Sequence, residues 1–151
     1  MRSMRKFCFR LETLLRYRVN IEEKEREALS RLNFKLHTEQ SLLAQLRSRE
    51  REARTELAGA RNSRADDIDV QWYYPYLDRL RLEIERSNGR IARLEEQVEA
   101  QKAVVIEATK NKKVLDTMKK RKVKEFTAAI EKLEQKAVDE IAATRSARKE
   151  Q

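Results

Sequence analysis

Residues able to catalyse a reaction are few and scattered in this 151-residue chain. There is one histidine, His37, one cysteine, Cys8, and only two glycines. A phosphate-cradling loop, a set of metal ligands or a Ser/His/Asp arrangement needs more of these residue types at closer spacing. We therefore expect no enzymatic activity, no cofactor and no bound metal. His37 is predicted to be a solvated helix residue and Cys8 a small apolar side chain.

The segment DDIDVQWYYPYLDRL, residues 66–80, is better suited to binding than to catalysis. It holds the only Trp, the only Pro and three of the four Tyr. Two interpretations of its aromatic corner, defined as Trp72, Tyr73, Tyr74 and Tyr76, remain open. The rings shield the end of a helical interface, or some of them, with Trp72 and Tyr76 favoured, face outward. Exposed clusters of Trp and Tyr usually mark contact sites between proteins.

The sequence on both sides of the corner predicts long helices. Charged residues make up 40% and hydrophobic residues 40% of the chain, and the mean hydropathy is −0.86. Apolar residues recur at alternating spacings of three and four, which is typical of a coiled coil. The first stripe contains Leu11, Leu14/Leu15, Ile21, Ala28/Leu29, Leu32, Leu36, Leu43, Leu46, Ala53, Leu57 and Ala60, interrupted by Arg18, Glu25, Glu39 and Glu50. The second contains Tyr73, Leu77, Leu80, Ile84, Ile91, Leu94, Val98, Val105, Ala108 and Leu115, weakens at Lys112, Lys119 and Lys122, and returns at Phe126, Ala129 and Leu133.

These stripes predict an all-α fold, with one antiparallel coiled-coil hairpin over residues 1–151. Asp66, Asp67 and Asp69 can cap a helix start, and Pro75 suits the first turn of a helix. The expected boundaries are about 10–65 for helix one, 66–71 for the turn and 72–147 for helix two. A turn this short makes the helices antiparallel neighbours, with residue i opposite about 136 − i. Helix one would then end opposite residue 125, leaving the last twenty or so residues without an intramolecular partner.

The net charge of +9 is compatible with nucleic acid, anionic lipid or an acidic protein as partner. The basic run 110–124 carries eight Lys or Arg against one Asp, but it lacks interleaved aromatic residues for base stacking. It is expected to lie opposite residues 21–27, whose four Glu would meet part of its charge. Nucleic acid is therefore not a favoured partner. The basic, apolar N-terminus FCFRLETLLRYR suits either a membrane surface or packing near Phe126.

Compartment and membrane topology follow from two absences in the sequence. A single cysteine allows no internal disulfide and suits a reducing compartment. No run of about 18 apolar residues is present, so no membrane-spanning segment is expected.

Three features in chain order resemble the FliJ family of flagellar export proteins. They are the opening F-x-F-R-L-E-x-L-L-R-Y-R with its Glu-rich heptad helix, the mid-chain WYYPYLDRL and the late segment KKVLDTMKKRKVKEF…EKLEQKAVDEIA. The resemblance covers nearly the whole chain. It implies a coiled-coil hairpin similar to the stalk of rotary ATPases, inserted in the hexameric ring of the export ATPase. It also implies contact with the membrane export gate, cycling of export chaperones, and a cytoplasmic location at the membrane face of the flagellar basal body.

The resemblance also implies two sets of site residues. Export-gate docking would involve Trp72, Tyr73, Tyr76 and Leu80, although the next positions on that face, Glu83 and Ser87, are polar. Binding of the ATPase ring would involve Phe7, Phe9, Leu11, Leu15, Phe126, Ile130, Leu133, Ala137 and Ile141.

Two other functions stay open at this point. One is the equivalent stalk of a virulence type III secretion system, and the other is a basic coiled-coil scaffold or nucleic-acid-binding protein. Weak self-association is also compatible with the sequence, because two-helix hairpins often pair into four-helix bundles.

Overall fold

Two long helices that pack against each other form the protein, and the predicted all-α hairpin is confirmed. The computed structural model describes the backbone of residues 5–62 and 67–151, and the side chains of residues 5–62 and 70–151. Helix α1 spans Glu12–Asn62 and helix α2 spans Asp67–Lys149. No strand occurs within the described ranges. Most helical stability in proteins comes from tertiary packing of an apolar face, and the apolar stripes of α1 and α2 supply that packing here.

The start of α2 differs from the prediction. It begins at Asp67, five residues before the expected start at 72, so residues 67–71 are helical rather than part of a turn. Pro75 accordingly lies inside the helix and not in its first turn. Its missing N–H leaves the carbonyl of Gln71 without the usual helical hydrogen bond. The capping role predicted for Asp66, Asp67 and Asp69 concerns side chains outside those described.

The described chain divides into two compact units. The corner unit comprises residues 24–106, and the terminal unit comprises residues 1–23 together with 107–151. In the corner unit, Ala53, Leu57 and Leu77 form a buried cluster. Val70, Tyr73 and Tyr76 pack against this cluster at the end of the unit nearest the corner.

Polar side chains interrupt the apolar interface of the corner unit and pair across it. The hydroxyl of the fully buried Ser87 donates a 2.9 Å hydrogen bond to Oε1 of Glu39, and Nε of Arg90 donates to the same oxygen at 2.8 Å. Partial burial raises the pKa of the Glu39 carboxyl, but these two hydrogen bonds and the charge of Arg90 outweigh it. The pKa of Glu39 therefore lies below its ordinary value of 4.5. Further along, the Gln101 amide donates to the Glu25 backbone carbonyl at 3.0 Å and also to its carboxylate.

The pairing register differs from the expected 136 − i. In the corner unit, the residue numbers of the side chains that hydrogen-bond across the interface add up to between 126, for Ser87 with Glu39, and 129, for Tyr73 with Glu56. The earlier start of α2 explains the shift, because a chain that reverses between Asn62 and Asp67 turns several residues before the predicted point. The basic run still meets the Glu-rich segment, because Lys112 pairs with Glu22, two residues from the position that the predicted register places opposite it.

In the terminal unit, the facing pairs are mostly ionic. Lys112 Nζ lies 3.0 Å from Oε2 of the buried Glu22, and Lys119 Nζ lies 2.9 Å from Oε2 of Glu12. Leu15, Ala108 and Leu115 supply the buried apolar positions of this unit. Lys112 and Lys119, which interrupt the second apolar stripe, thus lie at the interface, because carboxylates of α1 pair with them. Lys122 is exposed and instead pairs along its own helix with Glu125 at 3.4 Å.

Candidate docking surfaces

The aromatic corner presents two rings to solvent, Trp72 and Tyr74, and holds Tyr73 and Tyr76 against the protein. Trp72 is 65% exposed and stacks on Tyr76, with ring centroids 5.5 Å apart and an interplanar angle of 18°. It also meets the edge of Tyr73 at 5.6 Å. The hydroxyl of Tyr73 donates a 3.2 Å hydrogen bond to Oε2 of Glu56 on α1. Trp72 faces outward as one interpretation expected, whereas Tyr76, also favoured to face outward, is half-buried because it packs against the core cluster. Tyr73 and Tyr76 thus support an exposed indole.

Tyr74 forms the second exposed ring of the corner. The guanidinium of Arg61 lies over its face, 5.5 Å from the ring centroid, in a cation–π contact. This contact joins the last turn of α1 to the first turns of α2. The sequence reasoning left Tyr74 out of the docking set, although its place beside Trp72 in the sequence was a sufficient signal.

Leu80 occupies a different environment from the one its predicted docking role requires. Its side chain is 3% exposed, so it is a core residue between the helices and offers almost no area to a partner. Ser87, interpreted from the sequence as a polar position on the docking face, is also fully buried at the interface. The seven-residue spacing between the two placed them correctly on one face of α2, but that face is the one that packs on α1.

The residues predicted for ATPase-ring binding divide into a packed group and an exposed group. Phe7 lies against Phe126, with ring centroids 5.6 Å apart, so the N-terminal segment before α1 lies beside α2. Phe9 and Leu11 are half-buried and Leu15 is buried. Packing near Phe126 is therefore the arrangement found for this end of the chain.

From Phe126 onward, α2 carries an apolar stripe in which Phe126, Ile130 and Ala137 are half-buried and Leu133 and Ile141 are exposed. The stripe, here called the terminal stripe, consists of Phe126, Ile130, Leu133, Ala137 and Ile141. At 100° per residue its members fall within an arc of about 80°, which is one face of a straight helix. Leu133 and Ile141 are more than half exposed, as is the neighbouring Val138. Every residue from 131 to 151 is exposed except the half-buried Ala137.

The basic run 110–124 is partly neutralised by carboxylates. Besides the pairs of Lys112 and Lys119 with α1, Lys120 meets Asp116 at 3.2 Å along the helix. This distribution of charge favours a solvated, partly paired helix face over a nucleic-acid interface.

One apolar surface was missed by the sequence reasoning. Leu14 and Tyr17 on α1 and Val114 and Met118 on α2 are 40–61% exposed, although they belong to the terminal unit where the helices pack. Leu14 was assigned to the interface, whereas it lies beside it. The available signal was the presence of apolar residues at positions that flank the heptad core, where coiled coils usually carry charge.

Two searches of the described residues gave no candidate site for a metal or a membrane span. No group of three or more His, Cys, Asp or Glu side chains there could hold a metal ion. No described helix is both long enough and apolar enough to cross a membrane.

The fold and its surfaces define a class of protein: an all-α helical hairpin with exposed apolar and aromatic side chains. They include Trp72 at the corner, Leu133 and Ile141 along the end of α2, and Phe34 on α1. Comparison with known protein families identifies the family. The model described as "Flagellar FliJ protein" matches residues 6–151, and the chain belongs to this family of non-catalytic components of flagellar protein export. Comparison with curated proteins gave no match, and comparison with solved structures gave none either.

Proposed function

We propose that this chain acts as a stalk in flagellar type III export, binding the ring of the export ATPase through its terminal unit and promoting ring assembly and activity. The observation that carries the proposal is the continuation of α2 past Phe126, with an apolar stripe whose members Leu133 and Ile141 are half exposed or more. An apolar helix face of this kind has most to gain from burial against a partner.

A helix can insert into a ring more readily than a paired hairpin, because its diameter with side chains is only about 10–12 Å. Phe7 and Phe126 would mark the level at which the ring meets the paired part of the terminal unit.

The aromatic corner is proposed to contact the membrane export gate. Trp72 is the most exposed ring of the corner, at 65%, and Tyr74 is the second, at 43%. Tyr73 and Tyr76 fix the indole rather than meet the gate directly, and Leu80 stabilises the hairpin beneath them. An aromatic anchor that is already held by its neighbours loses little side-chain entropy on binding, which favours affinity.

Together these contacts would link the ATPase to the gate at the cytoplasmic face of the membrane. A stalk can transmit the state of a ring only if it binds some states of the ring more tightly than others, since equal affinity shifts no equilibrium. The terminal stripe would supply this differential binding, and the aromatic corner would pass it to the gate. Cycling of export chaperones belongs to the same proposal.

Point substitutions in the terminal stripe test the ring-binding part directly. In Leu133→Asp/Ile141→Asp, two exposed apolar side chains become charged without touching the paired part of the unit. Ala142→Asp, on the opposite side of the same helix, is the matched control. Co-purification with the export ATPase should be lost in the double variant and retained in the control. Retention by both would show that the stripe does not bind the ring.

A further inference from the structure

The terminal unit has an apolar flank beside its helix–helix interface. The interface positions of this unit are Leu11, Leu15, Arg18 and Glu22 on α1 and Ala108, Lys112, Leu115 and Lys119 on α2. Successive residues of a helix are 100° apart around its axis. Around α1, Leu14, Tyr17 and Ile21 lie roughly 100° from the centre of the interface positions. Around α2, Val114 and Met118 lie at a similar angle from the centre of the interface positions, with the same direction of rotation. In an antiparallel pair, equal rotation in the same sense leads to the same side of the hairpin. These five residues therefore form one surface, here called the lateral patch.

The other flank of the same unit has a different character. Arg16 pairs with Glu12 at 3.7 Å, and Lys120 pairs with Asp116 at 3.2 Å. These residues lie on the side opposite the lateral patch by the same angular argument. Exposed ion pairs are the usual covering of a solvated coiled-coil flank. Leu14, Tyr17, Val114 and Met118 are exposed on the flank of the lateral patch, whereas the other flank carries the exposed Val123 among its ion pairs. This concentration of exposed apolar side chains marks the lateral patch as a contact surface.

The charge distribution indicates what kind of partner fits. Residues 1–23 and 107–151 carry 19 Lys and Arg against 11 Asp and Glu, whereas residues 24–106 carry 16 against 15. The terminal unit thus holds +8 of the net +9. Arg10 and Arg121 lie on the same flank as the patch, by the same angles, and form no ion pair within the described residues.

A second copy of the chain would bring two such positive units together, and like charges disfavour that pairing. An acidic partner would instead meet both the surrounding positive charge and the two free guanidinium groups.

We propose that the lateral patch binds an acidic amphipathic helix of another protein, which packs along Leu14, Tyr17, Val114 and Met118 to complete a three-helix arrangement. Apolar side chains of that helix would cover the patch, and carboxylates on its edge would meet Arg10 and Arg121. The patch shares no residue with the terminal stripe or the aromatic corner. The inference therefore goes beyond the proposed function and can fail independently of it.

The test uses the full chain and two helix-stabilised peptides of about three heptads. Both peptides carry Leu at the core positions; one has Glu and the other Lys at the flanking positions. Binding is measured by fluorescence anisotropy at low and at physiological salt. The acidic peptide should bind, more weakly at higher salt, and the basic peptide should bind at least tenfold more weakly. Equal affinity for the two peptides, or no binding of the acidic one, would overturn the proposal.

A matched pair of variants assigns the binding to the patch. Val114→Asp places a negative charge within it, whereas Val123→Asp makes the same change at an exposed valine on the opposite flank of α2. The first should weaken binding of the acidic peptide at least tenfold, and the second should leave it within about twofold of the unchanged chain. Equal loss in both would mean that net charge, not the patch, binds the peptide. Sedimentation showing a dimer that Val114→Asp dissociates would identify a second copy as the occupant and overturn the proposal.

Discussion

The hydroxyl of Ser87 donates a 2.9 Å hydrogen bond to Glu39 from a position with no exposure to solvent, 48 residues away in the chain. The two residues interrupt otherwise apolar stripes on facing helices. Sliding α2 along α1 by one turn would place each polar group against apolar neighbours. An unpaired buried polar group costs about 1–3 kcal/mol, so this pair favours one register over its neighbours. Single polar positions in coiled-coil cores commonly have this effect.

Substitution of Ser87 should show how much this contact contributes. Ser87→Ala removes the donor but leaves Arg90 bonded to the same Glu39 oxygen. We expect the free energy of unfolding to fall by about 1–2 kcal/mol in urea denaturation followed by circular dichroism. Ser41→Ala, at an exposed position of α1, is the control and should change it by less than about 0.5 kcal/mol. Equal effects of the two substitutions would argue against a role for the contact.

The lowered pKa of Glu39 predicts a dependence of stability on pH. Because the folded pKa lies below the unfolded value of 4.5, the unfolded state binds protons first as pH falls. The contribution of Glu39 to the free energy of unfolding is therefore complete above about pH 5 to 6, and it is lost as pH falls through the pKa of the folded state. Glu39→Gln removes this contribution. The stability difference between the unchanged chain and Glu39→Gln should be largest near pH 7 and shrink in acid; a constant difference would contradict the assignment.

The ion pair between Glu22 and Lys112 should contribute to specificity more than to stability. Lys112→Leu removes a cation 3.0 Å from a buried carboxylate, and we expect it to lower the free energy of unfolding by about 1–3 kcal/mol. Glu22→Leu combined with Lys112→Leu should recover most of that loss, since an apolar pair has no desolvation cost. A double-mutant cycle measured by urea denaturation checks this. Additive losses would show that the two side chains act independently.

The corner variants should separate docking from folding. Trp72→Ala removes an exposed ring and should reduce export of flagellar subunits several-fold while changing the free energy of unfolding by less than about 1 kcal/mol. Leu80→Ala removes a buried side chain and should lower the free energy of unfolding by about 2–3 kcal/mol. Export and thermal unfolding measured on both variants provide the comparison. Unchanged export in Trp72→Ala, with normal protein levels, would remove the corner from the gate interface.

Much of the fold could be predicted from the sequence because the heptad pattern persists despite its polar interruptions. The pattern predicted the two helices and the short break between them predicted their antiparallel order, whereas the exposure of Trp72 was one of two interpretations of the aromatic residues. The pairing register could not be predicted in the same way, because it depends on the residue at which α2 begins. Pro75 suggested a start near residue 72, whereas α2 begins at Asp67. Propensity is a weak guide at helix ends, where tertiary packing decides.

The candidate sites were harder to predict than the helices. Leu80 and Trp72 are close in sequence, but a rotation of 80° about the helix separates a core position from an exposed one. Polar residue type was also misleading. Ser87 was expected on the surface, but it is buried at the interface, where its hydroxyl donates a hydrogen bond to Glu39. The lateral patch required knowledge of which positions flank the packed interface on both helices at once. That information comes from burial and not from periodicity along one helix.

The most direct test of the stalk proposal is ATP hydrolysis by the export ATPase of the same organism, measured with the intact chain and with a chain ending at Ile130. The shorter chain keeps the contact between Phe7 and Phe126 and loses most of the terminal stripe. Circular dichroism establishes that its remaining residues stay helical. We predict that the intact chain stimulates hydrolysis together with ring formation, and that the shorter chain does neither. Equal stimulation by the two chains would contradict the assignment of ring binding to the free end of α2.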